Sequence, residues 1–183
     1  MTRIMQALCL LALAAFLAAP MVTTAGQDVG TLAMAKSPEK PMNSEMAMPA
    51  AEGKALWAYL TGARYQEKFI LWPGKGKLYK GKEPHGALLT TYVNAKALEA
   101  IEGKMDVMAP GSIVVKENYK PDKTLAAVTV MFKVDKYNPE ANDWFWAKYN
   151  PDGTVDKEGK VGGCIGCHGQ VKDNDYLFTG KLK

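Results

Sequence analysis

Ser112-Ile-Val-Val-Lys-Glu-Asn-Tyr119 runs through Lys120-Pro-Asp-Lys123 directly into Thr124-Leu-Ala-Ala-Val-Thr-Val-Met-Phe-Lys-Val134. Two segments rich in β-branched residues flank a Pro-Asp pair, which favours a tight turn, so the spacing predicts an antiparallel hairpin. Alternation along the first segment puts Val114, Lys116 and Asn118 on one face and Ile113, Val115 and Glu117 on the other. Lys116 therefore need not point to solvent.

Residues 87–93 and 143–149 have the same β-rich composition and are bounded by Gly, Pro, Asn and Asp. Between 87–93 and 112–119, Asn94 is placed to cap a helix carrying Leu98 and Ile101, closed by Gly103. Upstream, residues 54–61 put Leu56, Trp57 and Leu60 on one helical stripe, and Gly62 supplies a stop. A second short helix is expected over residues 65–72, ended by Pro73 and Gly74, with a glycine- and lysine-rich loop over residues 74–82. The fold class is thus α+β: an antiparallel sheet with flanking helices.

The amino terminus has a different character. Arg3 precedes an apolar run from Leu8 to Ala19, followed by Pro20 and small residues to Ala25, which reads as a secretory signal peptide over residues 1–25. The run is too short to span a bilayer, so no membrane association is expected after cleavage. Residues 26–52, rich in Ala, Met, Pro, Ser and Gly, read as a flexible linker, and residues 53–183 as one domain. Met34, Met42, Met46 and Met48 lack the histidines and regular spacing of a copper site. The formal charge of +4 becomes +3 once Arg3 leaves, and the lysines form no block, which argues against nucleic acid as partner.

Cys164-Ile-Gly-Cys-His168 is the attachment sequence for a c-type haem. Two thiols at this spacing can form thioethers to the vinyl groups of one porphyrin, and the adjacent imidazole then serves as proximal iron ligand. A chance match in a chain of this length is expected about once in a thousand sequences. The rival readings are a redox Cys-x-x-Cys and half a zinc site, but Cys9 falls in the signal segment and His85 is the only other histidine. Haem c and its iron are therefore the expected cofactor, and export fits attachment on the oxidising side of the bacterial membrane. The motif lies near the carboxyl end and no Met follows it, so a sixth iron ligand must come from upstream or be absent. Met105, Met108, Met131 and His85 are the candidates. His85, in a Pro-His-Gly turn, is read as structural or near a propionate rather than axial, and the iron as five-coordinate or water-bound.

The ordered series Pro84-His85-Gly86, Pro110 to Tyr119, Tyr137-Asn-Pro-Glu140, Asp143 to Tyr149, Cys164 to His168 and Asn174-Asp-Tyr-Leu-Phe178 resembles the cytochrome P460 family over the whole domain. The resemblance implies an antiparallel sheet with helices enclosing one c-type haem, usually in a homodimer. It implies a covalent bond from a strand lysine to the porphyrin, and Lys116 matches that position. It implies a distal carboxylate a few residues before the attachment motif, where this chain has Asp156 and Glu158, and Glu158 is the expected base. The implied activity is oxidation of hydroxylamine to nitrous oxide or nitric oxide, with electrons passed to a periplasmic electron-transfer protein. The same resemblance also covers a gas-binding type, the beta form of cytochrome c prime, which binds nitric oxide behind a wall of aromatic rings. Trp144, Phe145, Trp146 and Tyr149 could furnish such a wall, although an aromatic run in a strand is also ordinary core. A simple electron carrier is the third reading.

Overall fold

The computed structural model describes residues 46–182, so the expected signal peptide and most of the expected linker lie outside the described residues. The domain opens with α1 (Gly53–Gly62), whose Leu56 and Leu60 are fully buried, as the apolar stripe requires. The second expected helix is shorter than its composition suggests. The helix α2 (Tyr65–Lys68) stops after one turn, Phe69 becomes extended, and Ile70–Leu71 form β1. The reason is tertiary: Ile70 and Leu71 pair with Val93 and Tyr92, and ladder bonds outweigh a weak local preference for helix.

A short strand β2 (Tyr79–Lys80) and β3 (Leu88–Val93) follow, then α3 (Ala95–Glu102), capped by the Asn94 side chain accepting from Ala97 N at 3.0 Å. The strands β4 (Ile113–Tyr119) and β5 (Leu125–Lys133) form the expected hairpin; Lys123 adopts φ +68° in its turn and Asp122 accepts from Thr124 N at 2.9 Å. The sheet is completed by β6 (Trp144–Tyr149) and β7 (Val155–Gly159). It has seven strands in the order β1-β3-β4-β5-β6-β7, with β2 also on β3, and every pairing is antiparallel. The fold class is α+β. The attachment motif lies on α4 (Gly162–His168), followed by a 3₁₀ segment, Gly169–Asn174. No helix among the described residues is long and apolar enough to cross a membrane.

Each face of the sheet carries its own core. Tyr92, Val115, Val130, Phe145, Ala147 and Tyr149 pack with Leu56, Leu60 and Tyr65 on the face covered by α1 and α2. Tyr149 donates to Gly53 O at 2.9 Å, which fixes the start of α1. Val93, Val114, Met131, Trp144 and Trp146 pack with Ala97 of α3 and with Tyr176 and Leu177 on the opposite face. Period-two alternation separates the two sets, and β4 carries Val114 to one core and Val115 to the other. Lys116 shares Val114's face by the same parity.

Candidate functional site

His168 ends α4 against the second core and is buried there. Its Nδ1 lies 2.7 Å from the backbone oxygen of Tyr176. A carbonyl only accepts, so Nδ1 carries the proton and Nε2 is left with its lone pair, the arrangement a metal-binding imidazole needs. Burial lowers the His168 pKa, with the Tyr176 carbonyl opposing, which favours the neutral ring.

That carbonyl is held by a left-handed turn in which Asp175 and Tyr176 have φ +51° and +65°. The Asp175 carboxylate is fully buried and anchors the turn. Its Oδ1 accepts from Lys133 Nζ at 2.6 Å, Asn142 Nδ2 at 3.1 Å and Trp144 Nε1 at 3.2 Å, and its Oδ2 accepts from Met108 N at 2.8 Å.

Cys164 and Cys167 are free thiols on α4, one helical turn apart. Burial pushes the Cys164 thiol up, while Lys157 and Lys148 pull it down. Two cavities meet here. A narrow one of about 40 Å³ is walled by Val114, Met131, Trp146, Cys164 and Leu177. A wider one of about 410 Å³ is walled by Tyr79, Leu89 and Cys167, with Lys75, Lys80 and Lys82 also lining it. His85, Lys116, His168, Phe178 and Thr179 border both.

Lys116 is brought to this site by register. Thr91, Lys116, Thr129 and Lys148 form one cross-strand row. Desolvation lowers the amine's pKa from its usual value to about 8. His85 joins from the turn between β2 and β3. Its ring centre is 5.9 Å from that of His168, with the two planes perpendicular. Trp146 and Phe178 flank His168 with ring centres at 4.8 and 5.3 Å.

Glu158 is not brought to the site, which corrects the sequence expectation. Its Cα partner is Ala147, whose side chain belongs to the α1 face, and its Oε2 accepts from Gly53 N at 2.8 Å. Asp156 pairs with Lys148 at 2.8 Å on the exposed strand edge. Of the aromatic run, only Trp146 borders His168; Phe145 and Tyr149 face α1, and Trp144 is committed to Asp175. Among the methionines, Met131 lines the narrow cavity, Met108 is buried beside Asp175, and Met105 is exposed. Asn118 shares the Lys116 face by parity, whereas Phe178 and Thr179 carry no local signal of their own, although Phe178 lies within a stretch that carries the family resemblance.

These residues fit a c-type haem. Two free thiols border apolar space, an imidazole presents an unprotonated nitrogen, and the Trp146 N–H is buried with no partner, open to an acceptor on a bound group. No group of three or more His, Cys, Asp or Glu suited to an ion occurs among the described residues. A family model described as cytochrome P460 matches residues 75–179, more than half of the chain and every residue bordering the two cavities. No curated protein matches the sequence.

Proposed function

The chain belongs to the cytochrome P460 family, which implies a c-type haem with iron, and on that premise we propose that it is a periplasmic hydroxylamine-oxidising cytochrome. Cys164 and Cys167 would hold the haem by thioethers and His168 would ligate its iron through Nε2. Lys116 would bond a porphyrin carbon. Bound haem would supply one-electron redox chemistry and an iron site for a small nitrogen ligand. Two hydroxylamines yield nitrous oxide, water, four protons and four electrons; one yields nitric oxide with three of each. The electrons would pass to a periplasmic electron-transfer protein, and the working unit would be a homodimer.

The observation that carries this reading is Lys116, whose side chain borders both cavities beside His168 and is desolvated there. With a pKa near 8, roughly a tenth of the amine is unprotonated at pH 7, several hundred times the fraction for an ordinary lysine. Only the free amine can attack a ring carbon. The new C–N bond replaces one C–H and one N–H, releasing two protons and two electrons, so a peroxide-class oxidant must take the electrons.

Peptide mapping and the ferrous absorption spectrum test it. Wild-type protein should show the macrocycle on the Lys116 peptide and a Soret band shifted far to the red. Lys116→Ala should keep both thioethers and give an ordinary ferrous c-type spectrum. Identical maps and spectra would make Lys116 a plain strand lysine. Release of nitrous oxide from hydroxylamine with an artificial acceptor tests turnover.

One observation favours a non-catalytic reading, as a nitric-oxide binder of the beta cytochrome c prime type or an electron carrier. The expected base Glu158 is tied to Gly53 on the other face of the sheet. The carboxylate that does line the wider cavity, Glu83, is exposed.

A further inference from the structure

We propose that His85 supplies the second axial nitrogen to the haem iron, opposite His168. This rests on the haem reading above but not on hydroxylamine turnover. Three features of the chain converge on it.

The first is spacing. Two imidazole–metal bonds of about 2 Å, each with about 1 Å from nitrogen to ring centre, separate trans ring centres by about 6 Å. The His85 and His168 centres are 5.9 Å apart with perpendicular planes, the separation that an iron between two imidazoles requires. The narrow cavity reaches Cys164 and the wider one reaches Cys167, and both border the two histidines. A flat macrocycle centred between the rings would extend into both cavities and meet both thiols, with Lys116 at its edge.

The second is the tautomer. Asn118 Nδ2 lies 3.0 Å from Lys116 O, 3.2 Å from Ala127 O and 3.2 Å from Thr129 Oγ1. The two carbonyls can only accept, which assigns the amide's orientation and turns Oδ1 toward His85. His85 Nδ1, 3.1 Å from that oxygen, must then donate. Its Nε2 keeps the lone pair, as in His168.

The third is placement. The turn bearing His85 is tied by Gly81 N to Ala87 O at 2.8 Å and by His85 N to Lys82 O at 3.1 Å. Gly86 has φ +121°, and a Cβ there would meet Tyr119 O at 2.9 Å, so only glycine lets the turn sit this close to β4. The imidazole is therefore held against the strand that carries Lys116.

A small ligand would then reach the iron only by displacing His85, and its apparent affinity would fall by the fraction of protein in which the site is open. The test is electron paramagnetic resonance and near-infrared spectroscopy of ferric holoprotein, with intact mass to establish haem attachment. Wild type should be low-spin without a methionine charge-transfer band. His85→Ala, and His85→Gln, which keeps a partner for Asn118, should be high-spin, and added imidazole should restore the low-spin state in His85→Ala. Nitric oxide should bind His85→Ala roughly tenfold faster or more. A high-spin wild type, or a low-spin spectrum persisting in both His85 variants, would overturn the proposal. Loss of the low-spin state in Lys116→Ala alone would make the amine the ligand and overturn it equally. A purified chain whose mass lacks haem would instead overturn the haem reading itself.

Discussion

Asp175→Asn is the substitution that should cost this fold most for the least change in shape. The carboxylate is fully buried and receives four donors, three at Oδ1 and one at Oδ2. A carboxamide has one accepting oxygen and one NH2, so whichever way it turns, a donor faces a donor. It also leaves the Lys133 ammonium, 4% exposed, without its counter-charge. Desolvation already lowers the Lys133 pKa despite the attraction of Asp175, which identifies burial as the larger effect. Leaving one buried charge unpaired costs about 3–5 kcal/mol. For a domain of this size that corresponds to a melting-temperature loss of roughly 10–25 °C.

Thermal unfolding of the holoprotein, followed by far-ultraviolet circular dichroism and by the Soret band, measures this directly. The Soret change should precede the backbone transition in Asp175→Asn, because the weakened turn is the one that holds the Tyr176 carbonyl against His168. Pairing Asp175→Asn with Lys133→Met removes the orphaned charge and should recover half the loss or more. Lys133 sits 4.1 Å from the Trp144 ring centre, where a thioether also packs well. A single variant within about 1 kcal/mol of wild type, or a double variant as unstable as the two losses added, would refute the assignment of Asp175 and Lys133 as a coupled pair.

Glu158→Gln should leave hydroxylamine-dependent turnover within about twofold of wild type, while losing about 1 kcal/mol of stability through its bond to Gly53 N; a hundredfold loss of turnover at unchanged stability would put the carboxylate back in the chemistry. In the haem-free chain, where neither ring is bound to iron, acid stability should be governed partly by the facing imidazoles. Burial, then Lys116 and His168, push His85 down to about 4 against the opposing bond from Asn118, and burial also lowers His168. The unfolded chain then binds more protons below about 6.5, so stability is complete above that pH and falls as pH drops toward 4, by about 2–3 kcal/mol for His85 after allowing for screening. His85→Gln should show a shallower loss over that window in acid denaturation curves, and an unchanged slope would mean His85 titrates normally in the fold.

The hairpin was legible because three local signals agree there: β-branched runs, a Pro-Asp turn and strict alternation. The Asn94 cap was legible for a similar reason, since its oxygen meets Ala97 N within the same turn. Residues 69–72 misled because Ile70 and Leu71 have no local reason to extend; their partners lie more than twenty residues away on β3. The strand β7 was missed because Val155-Asp-Lys-Glu-Gly159 is polar and lies at the sheet edge, where no buried face writes a pattern into the sequence. At the site, the thiols and proximal imidazole stand in one contiguous motif. The facing of His85 and His168 is different, since a turn between β2 and β3 and the end of α4 meet only through the folded sheet.

Parity shows why Lys116 could be placed from sequence and Glu158 could not. A lysine two positions from Val114 shares its face whatever the strand pairs with. For a residue on a separate strand, the face depends on register. The row through Thr91, Lys116, Thr129 and Lys148 reaches Lys157 on β7, with a bulge beside it, so its neighbour Glu158 falls opposite Ala147 and turns to α1. The far end of the row is therefore cationic, and Lys157 and Lys148 lie close enough to oppose the burial that raises the Cys164 thiol. A carboxylate base is displaced from the position that the family resemblance assigns to it. If protons leave a bound hydroxylamine inside this cleft, the groups bordering both cavities that can take them are nitrogens, the desolvated Lys116 amine where it remains unbonded and the neutral His85 ring once it is displaced. In either case acid should suppress turnover, because both groups must be unprotonated to accept.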